Sequence, residues 1–318
     1  GSLTYQWDAR SLWLFKAKRI FIDESIISIK DNYALFSHPD YPNIGPAFIA
    51  GFSKLIGYWN EVFPKLALTL MYIPALIILN KYFKNNSFLL VIWLVFFAIG
   101  KFTVNGEMDG LLSIYFTLSV LTIYNLIIQK EESFFPFLTT ILLIIILSLL
   151  KNEGFILALI LLFISATTLI YKKQMNYKII FFFILALVPG SIWQLFTMVI
   201  DISNDNTPYN YNFENFSDRI VEIKNYFLIC KYVVLNEKFL LSVIFFTIVS
   251  YFSKNISTFI FGITIILIYT ATLFIAYLST PLDLEWHLSS SATRVIKPMI
   301  LFLFIFSVYN INNKNKVY

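Results

Sequence analysis

The sequence predicts an all-α polytopic membrane protein, a bundle of about nine transmembrane helices with a polar N-terminal unit at one end. Three observations carry this. Of 318 residues, 58% are hydrophobic and 14% charged, against roughly 25% charged in soluble domains. Mean hydropathy is +0.73. The apolar runs recur at close to the ~20 residues needed to cross a hydrocarbon core, and they are apolar all round, with no water-facing stripe.

The elements follow in order. Residues 1–60 form an external unit with amphipathic interfacial helices, and residues 61–318 form the bundle. The stretch WDARSLWLFKAKRIF, residues 7–21, opens the first unit. Its Trp7 and Trp13 suit a headgroup belt, and Asp8 stands where a helix N-cap would stand. Lys16, Lys18 and Arg19 are expected in its last turns, where the dipole favours cations. HPDYP, residues 38–42, is an irregular turn fixed by its prolines. Spans are expected at 62–81, 87–104, 110–128, 134–150, 155–171, 178–200, 239–252, 256–278 and 295–312. Their midspan breakers are Pro74 and Pro189-Gly190.

The connections alternate in charge. KYFKNN, QKEES, YKKQMNYK, SKN and the tail NNKNK are short and mostly basic, so the positive-inside rule puts them in the cytoplasm. NGEMDG, KNEG, residues 201–238 and PLDLEWHLSSSATR join residues 1–60 on the outer side, with most of the acids and both histidines. Arg10, Lys16, Lys18 and Arg19 depart from the rule there. An external N-terminal unit needs a helix before it, and the chain opens Gly1-Ser2 without an initiator Met. A further span is therefore expected upstream, giving about ten. The net charge of +5 is then a topology signal, and the single Cys230 allows no internal disulfide. Richness in Ile, Phe, Lys and Asn matches an AT-rich bacterial genome, so a bacterial inner membrane is the expected location. No P-loop, Gly-rich dinucleotide motif, zinc cluster or basic nucleic-acid face occurs.

Spans this poor in charge place any chemistry at the outer membrane surface. Asp8 is a carboxylate held at that surface, or only a helix cap. His38, Asp40 and Tyr41 bring an imidazole, a second acid and a phenol, or else a rigid loop closed by a local hydrogen bond. Glu107 and Asp109 in NGEMDG, and Lys151 and Glu153 in KNEG, top two spans. Short loops need charges anyway, but recurrence on one side favours a site. In EWHLSSSATRVIKP, His287, Ser291 and Arg294 fall at i, i+4 and i+7 and share a helix face. Arg294 offers phosphate a planar fork of donors; the plainer reading has Arg294 and Lys297 snorkelling to headgroups. Pro298 disfavours helix at Lys297, so a bend is expected there. NDNTPYNYNFENFSDR, residues 204–219, reads as a lid or a surface loop.

In this order, WDARSLWLFKAK, HPDYP, NGEMDG, KNEG and WHLSSSATR resemble bacterial members of the GT-C superfamily of integral membrane glycosyltransferases. That group includes protein mannosyltransferases and the aminoarabinose transferase of lipid A. The resemblance covers nearly the whole chain and is unspecific about the sugar. It implies a first external loop that carries interfacial helices and the catalytic acid, at a position that Asp8 matches. It implies a polyprenyl-phosphate-linked sugar as donor, membrane lipids around it, and a protein, lipid or glycan acceptor arriving from outside. No acidic pair matches a metal site, so a divalent metal is left open.

The chemistry is consistent with that resemblance. A departing phosphate needs cations more than a general acid, and Arg294 with Lys151 or His287 would supply them. The acceptor hydroxyl needs a base: Asp8 first, Asp40 second. One base opposite the leaving phosphate would invert the anomeric centre. His38, Tyr41, Glu107, Asp109 and Glu153 would contact substrate. A lipid or glycan transporter would instead carry polar groups near the midplane and internal symmetry. A ligase using a diphosphate-linked oligosaccharide would carry a richer cationic patch. A non-catalytic scaffold would tolerate neutralising Asp8 and Arg294.

Overall fold

The computed structural model describes residues 6–26, 37–60, 62–83, 85–130, 133–173, 176–200 and 213–313. The first five residues, most of the expected lid and the basic tail lie outside these. Among the described residues every regular element is helical.

The N-terminal unit is a pair of short helices. A π-helical turn, Ala9–Trp13, runs into α1, Leu14–Asp23, and α1 packs on α2, Ile44–Ile56. Leu12, Trp13, Ala17 and Ile20 face inward, while Trp7, Phe15 and Ile22 stay exposed, the two-faced pattern of an interfacial helix. The helix runs further than expected, so the cations are not at its end. Lys16 falls in the interior on the buried face and is 4% exposed. Arg19 instead pairs with Asp23 at 3.1 Å.

The bundle follows the expected spans with local departures. The first, α3 (Pro64–Leu70) and α4 (Tyr72–Asn80), breaks at Met71. Pro74 explains the break, because it has no N–H for the Leu70 carbonyl and its ring crowds that turn. Tyr115 donates its hydroxyl to the Met71 carbonyl at 3.0 Å. Next come α5 (Asn85–Ile99), α6 (Asp109–Ile127), α7 (Phe134–Leu150), α8 (Asn152–Tyr171) and α9 (Tyr177–Val199). Two short helices, α10 (Phe213–Ile220) and α11 (Ile223–Ile229), precede α12 (Glu237–Ser253) and α13 (Ile256–Ser279). The chain closes with α14 (Leu284–Val295) and α15 (Lys297–Asn313); the helix is interrupted at Ile296, one residue before the expected bend at Lys297, and the two parts count as one span.

Six of these helical stretches are long and apolar enough to cross a membrane. Glu237–Ser253 qualifies only with Ile223–Val234, from which it is bent by 71°. Pro64–Asn80 and Phe134–Leu150 are shorter apolar helices. The chain is therefore an integral membrane protein of helical type.

Helix α6 is the axis. Each of its residues is buried, and α4, α5, α7, α8 and α15 pack around it. Its serine and threonine hydroxyls are satisfied within the helix: Ser113, Thr117 and Ser119 donate to carbonyls four residues back, and Thr122 to one three back. This makes a polar helix tolerable in an apolar interior. Gly110, near its start, admits Tyr72 and the Phe102 carbonyl; a Cβ would collide with both. Gly110→Val should therefore lower the melting temperature of the detergent-solubilised protein, with an overpacking cost of about 1–3 kcal/mol. An unchanged melting temperature would refute the close packing at this point.

Candidate functional site

Where α6 and α8 begin and α13 ends, a cavity of about 660 Å³ opens. Asp8, His38 and Tyr41 of the N-terminal unit line it, with Glu107 and Asp109 at the α6 start. Lys151 and Glu153 at the α7–α8 corner and His287 and Arg294 on α14 also line it. These come from separate parts of the sequence, and nine of the ten candidate residues share this one space. Ile156, Leu273 and Ala276 give it an apolar side.

On one wall, Asp8 lies in the first helical turn, and its side chain caps no helix N–H. It pairs instead with Arg294, which donates to Asp8 Oδ2 through Nη1. His287, Ser291 and Arg294 do share one face of α14 and all line the cavity. The His287 Nδ1 and Thr280 Oγ1 atoms are 2.9 Å apart, and the Ser291 and Tyr277 hydroxyls 2.8 Å. Arg219 holds the turn beneath, donating to the carbonyls of Thr280 at 2.7 Å and Leu282 at 2.8 Å.

On the opposite wall, Lys151 lies in extended backbone between α7 and α8. Its ammonium sits 3.1 Å from Asp109 Oδ1 and 3.1 Å from Glu153 Oε1. Both acids occupy first turns, of α6 and α8, where the helix dipole favours a carboxylate. Burial works against the Lys151 charge, but the two carboxylates outweigh it and hold its pKa well above the ordinary value. Glu107 is raised, first by burial and then by the Asp109 charge.

The HPDYP loop braces these walls. Tyr41 stacks between Trp13 and His38, with centroids at 5.5 and 5.1 Å. Its carbonyl accepts from Lys16 Nζ at 2.9 Å. His38 has φ +46°, a left-handed backbone that non-glycine residues seldom adopt. Burial lowers its pKa, opposed by the Asp40 charge.

Asp40 is the exception among the candidates. It is 2% exposed and does not line the cavity. Its carboxylate accepts from Asn152 Nδ2 at 2.6 Å, its carbonyl from Trp193 Nε1 at 2.7 Å, and Gln194 bonds Asn152 in turn. These bonds run long range, from the loop to α8 and α9. Asp40 is placed to brace the loop and does not face the cavity.

Three buried polar atoms on the lining have no hydrogen-bond partner among the described residues: Glu107 Oε2, Glu153 Oε2 and Arg294 Nε. Two acceptors and one donor are thus left over, in a space large enough for a ligand. No three His, Cys, Asp or Glu side chains among the described residues are grouped to hold a metal ion. Asp109 and Glu153 are already bridged by the Lys151 ammonium. No protein-family model, curated protein or solved structure matches this chain.

Sequence reasoning missed Lys16, Asn152, Trp193, Gln194 and Arg219. Lys16 shares the helical face of Leu12, Trp13 and Ile20, which is a legible signal. Gln194 is a polar residue within an apolar span, which is another. For Arg219 there was none.

Two outcomes follow. Lys151→Met leaves Asp109 buried without its cation and should cost about 3–5 kcal/mol in unfolding of the solubilised protein; adding Asp109→Asn should recover part of it. Stability equal to wild type in the single variant would refute the ion pairing. Burial pulls Lys16 from its ordinary 10.5 down to about 7, opposed by the Asp40 charge. Across that window the unfolded chain binds the extra proton, so stability rises with pH between the two values and is flat below. The stability of wild type relative to Lys16→Met should therefore grow from pH 7 to pH 10. A constant difference would mean that Lys16 titrates normally.

Proposed function

We propose that the protein is a GT-C-type integral membrane glycosyltransferase. It moves a sugar from a polyprenyl-phosphate carrier to an acceptor on the extracytoplasmic side of a bacterial inner membrane. The observation that carries this reading is the Asp8–Arg294 pair in the wall of a cavity at one end of the bundle. A candidate base and a candidate phosphate ligand, 286 residues apart in sequence, meet there. The apolar side suits a carrier tail, and the leftover Glu107 and Glu153 oxygens suit the hydroxyls of a sugar. The end carrying the cavity has the acidic connections, and the other end has the short basic ones, which supports the orientation.

The reaction runs as one displacement. The donor phosphate takes the Arg294 guanidinium, and Asp8 is released. The acceptor hydroxyl gives its proton to Asp8 and its oxygen bonds the anomeric carbon from the side opposite the phosphate. The carbon–oxygen bond to phosphate breaks, the electron pair leaves with phosphate, and the configuration inverts. Arg294 neutralises the growing charge. His287 and Tyr41 shape the sugar site, and Asp40 positions the loop that carries Tyr41. A transporter has less support, because the ionised groups of the cavity sit at one end of the bundle and not at its middle.

The test is deletion of the gene in its host with mass spectrometry of the surface glycans. One sugar should disappear, return with wild type, and stay absent with Asp8→Asn expressed at equal level. In a purified assay Asp8→Asn should lose about 10²–10⁴ in turnover while still binding the donor. Unchanged glycans, or full rescue by Asp8→Asn, would overturn the reading.

A further inference from the structure

Lys101, Lys238 and Lys297, at the cavity end, have no carboxylate in ion-pair contact among the described residues. They come from three elements. Lys101 lies in the 3-10 turn Gly100–Thr103 after α5, Lys238 is the second residue of α12, and Lys297 the first of α15. Lys297 Nζ is 4.4 Å from the Phe102 ring centroid and Lys101 Nζ 5.7 Å from the same ring. Lys238 Nζ is 4.9 Å from the Phe97 ring and donates to the Phe97 carbonyl at 2.8 Å. The charges of Lys101 and Lys238 both act on Lys297.

This arrangement is unfavourable as it stands. Three like charges converge, and one, Lys238, lies in the first turn of α12, where the dipole opposes a cation. Ring faces offset only part of that. Glu107 and Asp109 act on Lys297 from beyond contact distance. An anion between the lysines would offset their mutual repulsion.

The surroundings say what kind of anion. Trp93 stacks on Phe97 at 5.3 Å, and Trp93 and Phe96 are exposed on α5. An apolar aromatic surface thus runs down the exposed side of the Asn86–Thr103 span from the cations, where lipid chains would lie. We propose that Lys101, Lys238 and Lys297 form a second site, which holds the phosphate of a membrane lipid against the aromatic face of α5. Lys101 and Phe102 also line the cavity, so the site abuts its wall. The proposal does not need the transferase reading, since it concerns binding alone.

The test uses the full chain in detergent micelles and native mass spectrometry. Phosphatidylglycerol, phosphatidylcholine and inorganic phosphate are titrated against wild type, Lys238→Gln/Lys297→Gln, and Lys178→Gln/Lys254→Gln at the opposite end. Wild type should retain phosphatidylglycerol over phosphatidylcholine. The Lys238/Lys297 variant should lose roughly tenfold or more in affinity, at unchanged melting temperature, and the Lys178/Lys254 variant should lose nothing. Equal affinity in all three proteins, or equal loss in both variants, would overturn the site. Displacement by inorganic phosphate at the lipid's own concentration would overturn the lipid-borne assignment. A further titration with polyprenyl phosphate separates the sources. Displacement of phosphatidylglycerol in wild type alone makes the carrier the preferred occupant, and no displacement makes it a phospholipid; both support a lipid phosphate.

Discussion

An ammonium buried between two carboxylates at the α7–α8 corner sets the geometry around it. Lys151 is 5% exposed, and a lone charge at that depth would be costly. It is tolerated because Asp109 and Glu153 reach it together, and they reach it because α6 and α8 start beside the corner. Three helix ends are thereby tied to one nitrogen atom. Gly154 completes the corner, since a Cβ there would run into the Leu147 carbonyl of α7. One cation against two acids leaves a net negative wall, and Glu153 Oε2 is its unfilled acceptor. The same contact that fixes the bundle end therefore gives one side of the cavity its chemical character.

The location follows from the cost of charge in hydrocarbon. On insertion scales a charged residue at a helix centre costs about 2.5–3.5 kcal/mol. Placing acids at helix N-termini avoids most of that and gains from the dipoles. The N-terminal unit then has to reach the same level. It does so through Asp40, whose bonds to Asn152 and Trp193 fasten the HPDYP loop to α8 and α9. Lys16 adds a bond to the Tyr41 carbonyl. A loop of irregular backbone, with His38 in a left-handed conformation, is held in one shape by side chains from three helices.

Much of this was legible in the chain. Apolar runs located the helices of the bundle, because a bilayer imposes length and apolarity together. Pro74 and Pro298 marked breaks through their missing N–H groups. The spacing of His287, Ser291 and Arg294 gave their common face from helical geometry alone. What could not be read is partnership across long separations. Nothing local to Asp8 says that its neighbour is Arg294 and not a helix N–H, and nothing local to Asp40 says that Asn152 covers it. The pairing of Arg219 with a turn about sixty residues on is similarly invisible. The last-turn cations failed for a local reason: the helix does not end at Phe21 but continues to Asp23, so Lys16 lies in its interior on the apolar face.

On the transfer reading, the Asp8–Arg294 contact does more than stabilise two charges. A carboxylate held by a guanidinium is a weak acceptor for a proton, and a guanidinium held by a carboxylate is a weak ligand for phosphate. Each group is thus kept from its task by the other. A donor phosphate that takes the guanidinium removes both restraints in one exchange of partners. Arg294 Nε, buried without a partner, gives the phosphate a further donor that Asp8 does not use. Linkage then makes the effect reciprocal: whatever draws Asp8 away from Arg294 strengthens phosphate binding by the same factor. An acceptor hydroxyl that engages Asp8 would do so. Donor and acceptor would bind with positive coupling, and the base would be free only when a sugar phosphate is in place to be attacked.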